Sequence, residues 1–173
     1  VHQGLVRLTD FAEDMKSAGL RPTSRVIHQD VEGANDLVAS NLRIEPGATV
    51  YRLDRLRLGD GEPLAFDRTW LPVFFGQLLD GRDLAFETIY HVLEVDYKIP
   101  MVSGRFRIEA VNAAADISQQ LGVPWGRALL MIERTTVTEA DRCVYYQQRF
   151  YRSDRVAYEV ELQRSKGSGL AGG

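Results

Sequence analysis

The sequence predicts an α+β fold: an antiparallel sheet with helices, built from two similar strand-helix-hairpin halves. Two observations carry this expectation. The first is internal self-similarity. Leu42-Arg43-Ile44-Glu45-Pro46-Gly47 lies over Leu121-Gly122-Val123-Pro124-Trp125-Gly126, each a helix end, a short apolar step and a Gly turn. At the same offset Ala34 falls on Ala113, Val38 on Ile117, Val50 on Leu129, Asp54 on Glu133 and Arg55 on Arg134. The second is a succession of adjacent hairpins with helices between them, which favours antiparallel pairing.

The elements follow in order. Thr9 or Asp10 can cap a helix from Phe11 to about Ala18, with Glu13 and Asp14 in its first turn and Gly19 ending it. Residues Arg25 to Val31 read as a strand, and Asn35 to Leu42 as a short amphipathic helix. Val50 to Leu58 and Leu64 to Val73 are strands joined by Gly59-Asp60-Gly61-Glu62, a strong hairpin signal. A helix over Glu87 to Tyr97 places Ile89, Val92 and Leu93 on one face. The second half supplies a strand at Arg105 to Val111, a helix at Ala113 to Leu121, and a hairpin of Leu129 to Val137 with Val144 to Tyr151. Val156 to Leu162 reads as a last strand. One domain spans residues 1–164, and the Gly-rich stretch 165–173 is expected to be a loose tail.

Bulk properties exclude more than they assign. A chain of 173 residues can build a full core. The formal net charge of -3 and scattered basic residues give no nucleic-acid-binding face. No apolar run approaches the roughly 20 residues of a membrane span. The lone Cys143 cannot form an internal disulfide, so a cytoplasmic setting is expected. Val1-His2-Gln3-Gly4 has no basic and apolar pattern, so a signal peptide is not expected. The chain opens on Val1 rather than Met and is expected to be part of a longer protein. His2, His28 and His91 have no metal-ligand spacing, and no Gly-rich phosphate loop or nucleophile elbow is present. Neither a metal, a cofactor nor a catalytic residue is expected.

Three stretches resemble the UTRA domain, the effector-binding module of the HutC branch of GntR-type bacterial transcription regulators. They are Leu8-Thr9-Asp10-Phe11-Ala12-Glu13-Asp14-Met15 with Gly19-Leu20-Arg21-Pro22; Leu53 to Pro63 with Trp70-Leu71-Pro72; and Phe150-Tyr151-Arg152-Ser153-Asp154-Arg155. The resemblance implies a chorismate-lyase-like fold, a small-molecule pocket over the sheet and a homodimer. It also implies a winged-helix DNA-binding domain N-terminal to this chain, through which alone DNA would be contacted.

The candidate pocket follows residue by residue. Arg55 and Arg57 alternate onto one strand face. Adjacent guanidiniums repel unless an anion joins them, and their planar forks suit carboxylate or phosphate. Either this is a solvated strand face or it is a ligand site; the family uses the pair on the effector's anionic group. Asp67 faces Arg55 if the turn centres on Gly61, as a ligand contact or as a tie across the hairpin. The family usually has Glu there. Related domains carry Ser-Phe-Thr at the helix start, where this chain has Asp10, Phe11 and Ala12. Asp10 acts either as an N-cap or as a pocket carboxylate, and in both cases a phosphosugar is disfavoured. Tyr145, Gln147, Arg149 and Tyr151 share a face; the family often has Glu at the position of Tyr145 and Tyr at that of Tyr151. Thr88 and Tyr90 match a Ser and Tyr that border the pocket. Together these imply an anionic or zwitterionic effector. Two other readings stand beside it: an enzyme like chorismate lyase acting on a carboxylated small molecule, and a purely structural dimerisation domain.

Overall fold

The computed structural model describes residues 2–4 and 15–164. Its centre is a six-stranded sheet, built from strands β2 (Pro22–Gly33), β3 (Thr49–Gly59), β4 (Glu62–Pro72), β5 (Ser103–Asn112), β6 (Ala128–Thr138) and β7 (Arg142–Arg152). The order is β2-β3-β4-β7-β6-β5, and all neighbours are antiparallel. Helices α1 (Asp36–Leu42) and α3 (Ala115–Leu121) precede the two long hairpins. A short helix α2 (Val73–Gly76), a 3-10 turn at Gln77–Leu79 and a π-helical turn at His91–Asp96 lie between the halves.

The duplication extends to individual backbone hydrogen bonds. In the first half Ala34 N–H donates to Ala48 O, Gly47 to Ala34, Ala39 to Asn35, Ile44 to Ala39 and Ala48 to Glu45. In the second half the matched groups repeat each bond: Ala113 to Arg127, Gly126 to Ala113, Ser118 to Ala114, Val123 to Ser118 and Arg127 to Pro124. The residues after each helix, Arg43 and Gly122, are both left-handed. The halves meet where β4 pairs β7, with Asp67 opposite Arg149 and Thr69 opposite Gln147. Alternation then sorts the side chains by face. Val38, Ala39 and Leu42 of α1 pack on Val50, Trp70 and Tyr146, while Ile117 and Leu121 of α3 pack on Leu56, Phe66 and Phe150. The opposite face carries Leu53, Leu71 and Tyr145 under the segment from Phe75 to Met101, with Met15 and Val156 covering its other end.

The β3–β4 turn is the two-residue loop its sequence signals: Asp60 and Gly61 have φ of 49° and 81°, the pair of positive angles that Asp-Gly adopts in a hairpin. At Gly76 the lack of a side chain decides packing. A Cβ there would collide with Tyr51 and lift α2 off the sheet.

Several expected elements are redrawn. The expected strands of the main sheet lengthen by one to three residues at their ends, except that the strand expected to run to Val73 stops at Pro72, where α2 begins. The helix expected over Glu87 to Tyr97 is shorter and π-wound, with Thr88 Oγ1 accepting the His91 N–H at 3.0 Å at its start. The wider winding buries Ile89, Val92 and Leu93. The expected strand Val156 to Leu162 shrinks to β8 (Ala157–Glu159), paired in parallel with β1 (His2–Gly4). Val156 is buried, but Leu162 is 87% exposed and is not covered by the described residues. Of the helix expected from Phe11 to Ala18, residues 15–17 are helical, and Gly19 ends it at φ 75°. Its start, and the tail 165–173, lie outside the described residues.

Candidate functional site

Register explains why charge collects in one place. Arg55 pairs Asp67 on β4, Asp67 pairs Arg149 on β7, and Gln147 beside it pairs Arg134 on β6. Pleating sends Arg55, Arg57, Asp67, Gln147, Arg149 and Arg134 to one face of the central strands. Arg55 and Arg57 are 2% and 3% exposed, and Asp67 is fully buried. The pair is therefore no solvated strand face.

Asp67 organises the cluster. Its Oδ1 lies 3.7 Å from Arg55 Nε, and its Oδ2 lies 3.7 Å from Arg57 Nε and 3.1 Å from Arg149 Nη2. Burial alone would favour the neutral acid, but Arg57, Arg149 and Arg55 outweigh it and hold the carboxyl below its ordinary range. Burial lowers the affinity of Arg55 and Arg57 for their protons; for Arg57 the neighbouring Arg55 adds to the effect. Guanidiniums stay charged in proteins, so the shift measures electrostatic cost rather than neutralisation. Arg149 differs: burial opposes its charge, yet Tyr151 and Asp67 more than offset that. Its Nη1 donates to Tyr151 Oη at 3.2 Å.

The cavity above these groups is lined by Arg55, Arg57, Thr88, Ile89, Tyr90, Arg134, Tyr145, Gln147 and Arg149. Its free space is about 10 Å³, room for at most one water. The segment after α2 closes it: Arg55 Nη1 donates to the carbonyls of Leu84 at 3.5 Å and Glu87 at 3.3 Å. Arg82 binds Glu87 and Asp96 and ties the two ends of that segment together. Two wider clefts, of about 330 and 380 Å³, are open and lined mostly by exposed residues, without a comparable buried charge cluster.

Of the ten residues singled out from sequence, Arg55, Arg57, Thr88, Tyr90 and Tyr145 line this cavity. Asp67 and Tyr151 stand behind it and hold its arginines. Asp10, Phe11 and Ala12 lie outside the described residues. Ile89, Arg134, Gln147 and Arg149 line the cavity without having been singled out. Arg134 had a signal in the sequence, its coincidence with Arg55 in the repeat. Gln147 and Arg149 shared a strand face with Tyr145 and Tyr151, but nothing in sequence told that face from ordinary packing. Asp154 does pair with an arginine, its carboxylate accepting from Arg152 at 2.8 and 3.1 Å. Among the described residues no three His, Cys, Asp or Glu side chains gather as a metal site, and no helix is long and apolar enough to cross a membrane.

Comparison with known proteins converges on one family. The transcriptional repressor NagR of Bacillus subtilis is 28% identical over 165 residues, covering 95% of this chain and 67% of its own length. The transcriptional regulator YurK of the same organism is 26% identical over 156 residues, covering 90% of this chain and 64% of its own length. The chain thus spans about two thirds of these relatives. The crystal structure of the effector domain of PhnF from Mycobacterium smegmatis superposes with a TM-score of 0.87, covering 95% of this chain and all of that one, at 20% identity, a likeness of fold. The UTRA domain profile matches residues 17–157, from the end of the first helical turn to the last strand, and the chain belongs to the UTRA family of GntR-type regulator domains.

Proposed function

We propose that this chain is the effector-sensing and dimerisation domain of a HutC-branch GntR-type transcription regulator that works in the cytoplasm as a homodimer. A winged-helix domain N-terminal to residues 1–164 makes the DNA contacts. The effector is a small anionic or zwitterionic metabolite, and the chain catalyses nothing. One observation carries the reading: among the described residues, three buried arginines, Arg55, Arg57 and Arg149, converge on the carboxylate of Asp67. Such a constellation is costly for stability and suited to gripping an anion.

The route from binding to signal runs through the closing segment. An anion on Arg55 competes with the long hydrogen bonds from that guanidinium to Leu84 and Glu87, and the small cavity cannot fill without moving the segment. A ligand that shifts this segment binds one state of the dimer better than the other, and that difference is what regulation requires. The enzyme reading is the weaker one, because Asp67, the one buried carboxylate at the site among the described residues, is held ionised by its arginines and cannot serve as a general acid near neutral pH. The test is thermal melting of the chain against a panel of carboxylates and phosphates. At least one should raise the melting temperature, and Arg55→Gln should abolish that rise. No rise with any anion would overturn the reading, and turnover of chorismate would favour the enzyme.

A further inference from the structure

The cavity has two donor clusters rather than one. The first is Arg55, Arg57 and Arg149. The second is built on Arg134, the counterpart of Arg55 in the other half of the duplication. Arg134 is buried, stacks over the Phe106 ring at 4.6 Å and the Tyr90 ring at 5.7 Å, and donates to Tyr145 Oη at 3.2 Å. Burial opposes its charge, but Tyr145 and Tyr90 hold it cationic. Around it lie two buried hydroxyls, Tyr90 Oη and Thr136 Oγ1; Tyr90 Oη lies close to Thr136 and Tyr145, but neither hydroxyl completes a well-formed hydrogen bond. A buried hydroxyl left unpaired is costly, and an incoming acceptor removes the cost.

Neutral groups separate the clusters. Arg55 is on β3 and Arg134 on β6, three strand spacings apart, about 14 Å between backbones. Between them Gln147 donates to Thr69 Oγ1 at 2.8 Å, and Asp67 sits beneath the first cluster. A single carboxylate cannot reach both clusters, and one placed midway would meet an amide already bonded and the field of Asp67.

We infer that the site takes a small dianion, an α,ω-dicarboxylate or an acid of the same charge spacing, with one anionic group on Arg55 and Arg57 and the other on Arg134, Tyr90 and Thr136. This rests on the effector reading above and narrows it. The second end is a binding site in its own right, made among the described residues of one guanidinium and its neighbouring hydroxyls.

Isothermal titration of the chain with glutarate, adipate and suberate, against hexanoate, tests it. At least one diacid should bind tenfold or more tightly than hexanoate. Arg134→Gln should bring that diacid to the hexanoate level and leave hexanoate itself unchanged, while Arg55→Gln removes both. Thr136→Val guards against misfolding: it removes a buried hydroxyl at nearly constant volume, so the unliganded chain should still unfold in one cooperative transition while the diacid weakens severalfold. Hexanoate binding as tightly as every diacid, or Arg134→Gln weakening both acids equally, overturns the second end and leaves the effector site standing. If none of the acids binds, the effector reading falls, and this inference with it.

Discussion

The two halves share a backbone and differ in the chemistry placed on it. Arg55 opposite Asp67 in the first hairpin corresponds to Arg134 opposite Gln147 in the second, and Arg57 corresponds to Thr136. The first half thus builds an ion cluster, the second a neutral amide and hydroxyl layer around one cation. Across the junction the paired positions are occupied once by Asp67 with Arg149, at 3.1 Å, and once by Thr69 with Gln147, at 2.8 Å. Duplication therefore fixes where side chains meet, while each position sets the cost of the meeting separately. Two matched pairs that look alike in geometry should differ severalfold in energy.

The largest expected effect tests that difference directly. Asp67→Asn leaves Arg55, Arg57 and Arg149 buried without their shared carboxylate, and breaking such a cluster from one side costs about 3–5 kcal/mol. The counterpart Gln147→Ala strands only the Thr69 hydroxyl and should cost about 1–3 kcal/mol. Urea denaturation of both variants measures the gap, and equal losses would mean the cluster contributes nothing beyond packing. The acid limb separates them further. Arg57, Arg149 and Arg55 depress the Asp67 carboxyl despite its burial, so its contribution is complete above the unfolded carboxylate pKa of about 3.9 and is lost as pH falls through the lower folded value. Asp67→Asn should flatten the stability profile below pH 4, and Gln147→Ala should leave it steep.

A smaller asymmetry lies at the helix starts. Asn35 caps α1, its side chain accepting the Val38 N–H at 2.9 Å, whereas Ala114 at the matched place on α3 offers no side-chain bond. Asn35→Ala should cost about 1 kcal/mol, and Ala114→Asn should gain a similar amount. Melting temperatures moving in opposite directions in the two variants would sharpen the comparison. Both falling would mean that packing around Ala114, rather than the missing cap, sets its cost.

Sequence and structure agree where a local rule governs. The Asp60-Gly61 turn and the repeat itself follow from turn chemistry and period, and the structure reproduces both, whereas Arg55 meets Asp67 through a bulge at Arg57–Leu58 that shifts the register by one, not through a turn centred on Gly61. What failed to show was set by distant packing. The π-winding near Val92 answers to a hydrophobic face that must reach Leu53 and Tyr145, and β8 ends where burial ends. α2 is seated by a close approach between Gly76 and Tyr51 that no local pattern records. Half of the singled-out site residues meet in one cavity because strand alternation is legible. Arg149 and Arg134 escaped because an arginine on a strand reads as surface until its neighbours across the sheet are known.

The smallest difference between the halves is also the one with the clearest sign. Each helix must end on a left-handed residue, and the first half uses Arg43 at φ 56° where the second uses Gly122 at φ 65°. A residue with a Cβ pays roughly 1–2 kcal/mol for that conformation, and glycine pays little. Arg43 recovers part of it through an ion pair with Asp141 at 2.6 Å, but both side chains are mostly exposed, and water screens such a pair. Arg43→Gly should therefore be neutral to stabilising by several tenths of a kcal/mol, and Gly122→Ala should destabilise by about 1 kcal/mol. High salt decides between backbone and charge as the cause: screening weakens the ion pair of the parent chain alone, so the gain from Arg43→Gly should widen with salt while the loss from Gly122→Ala stays fixed. A gain from Arg43→Gly that does not change with salt would mean that the Arg43–Asp141 pair contributes nothing and that the helix end is held by its backbone alone.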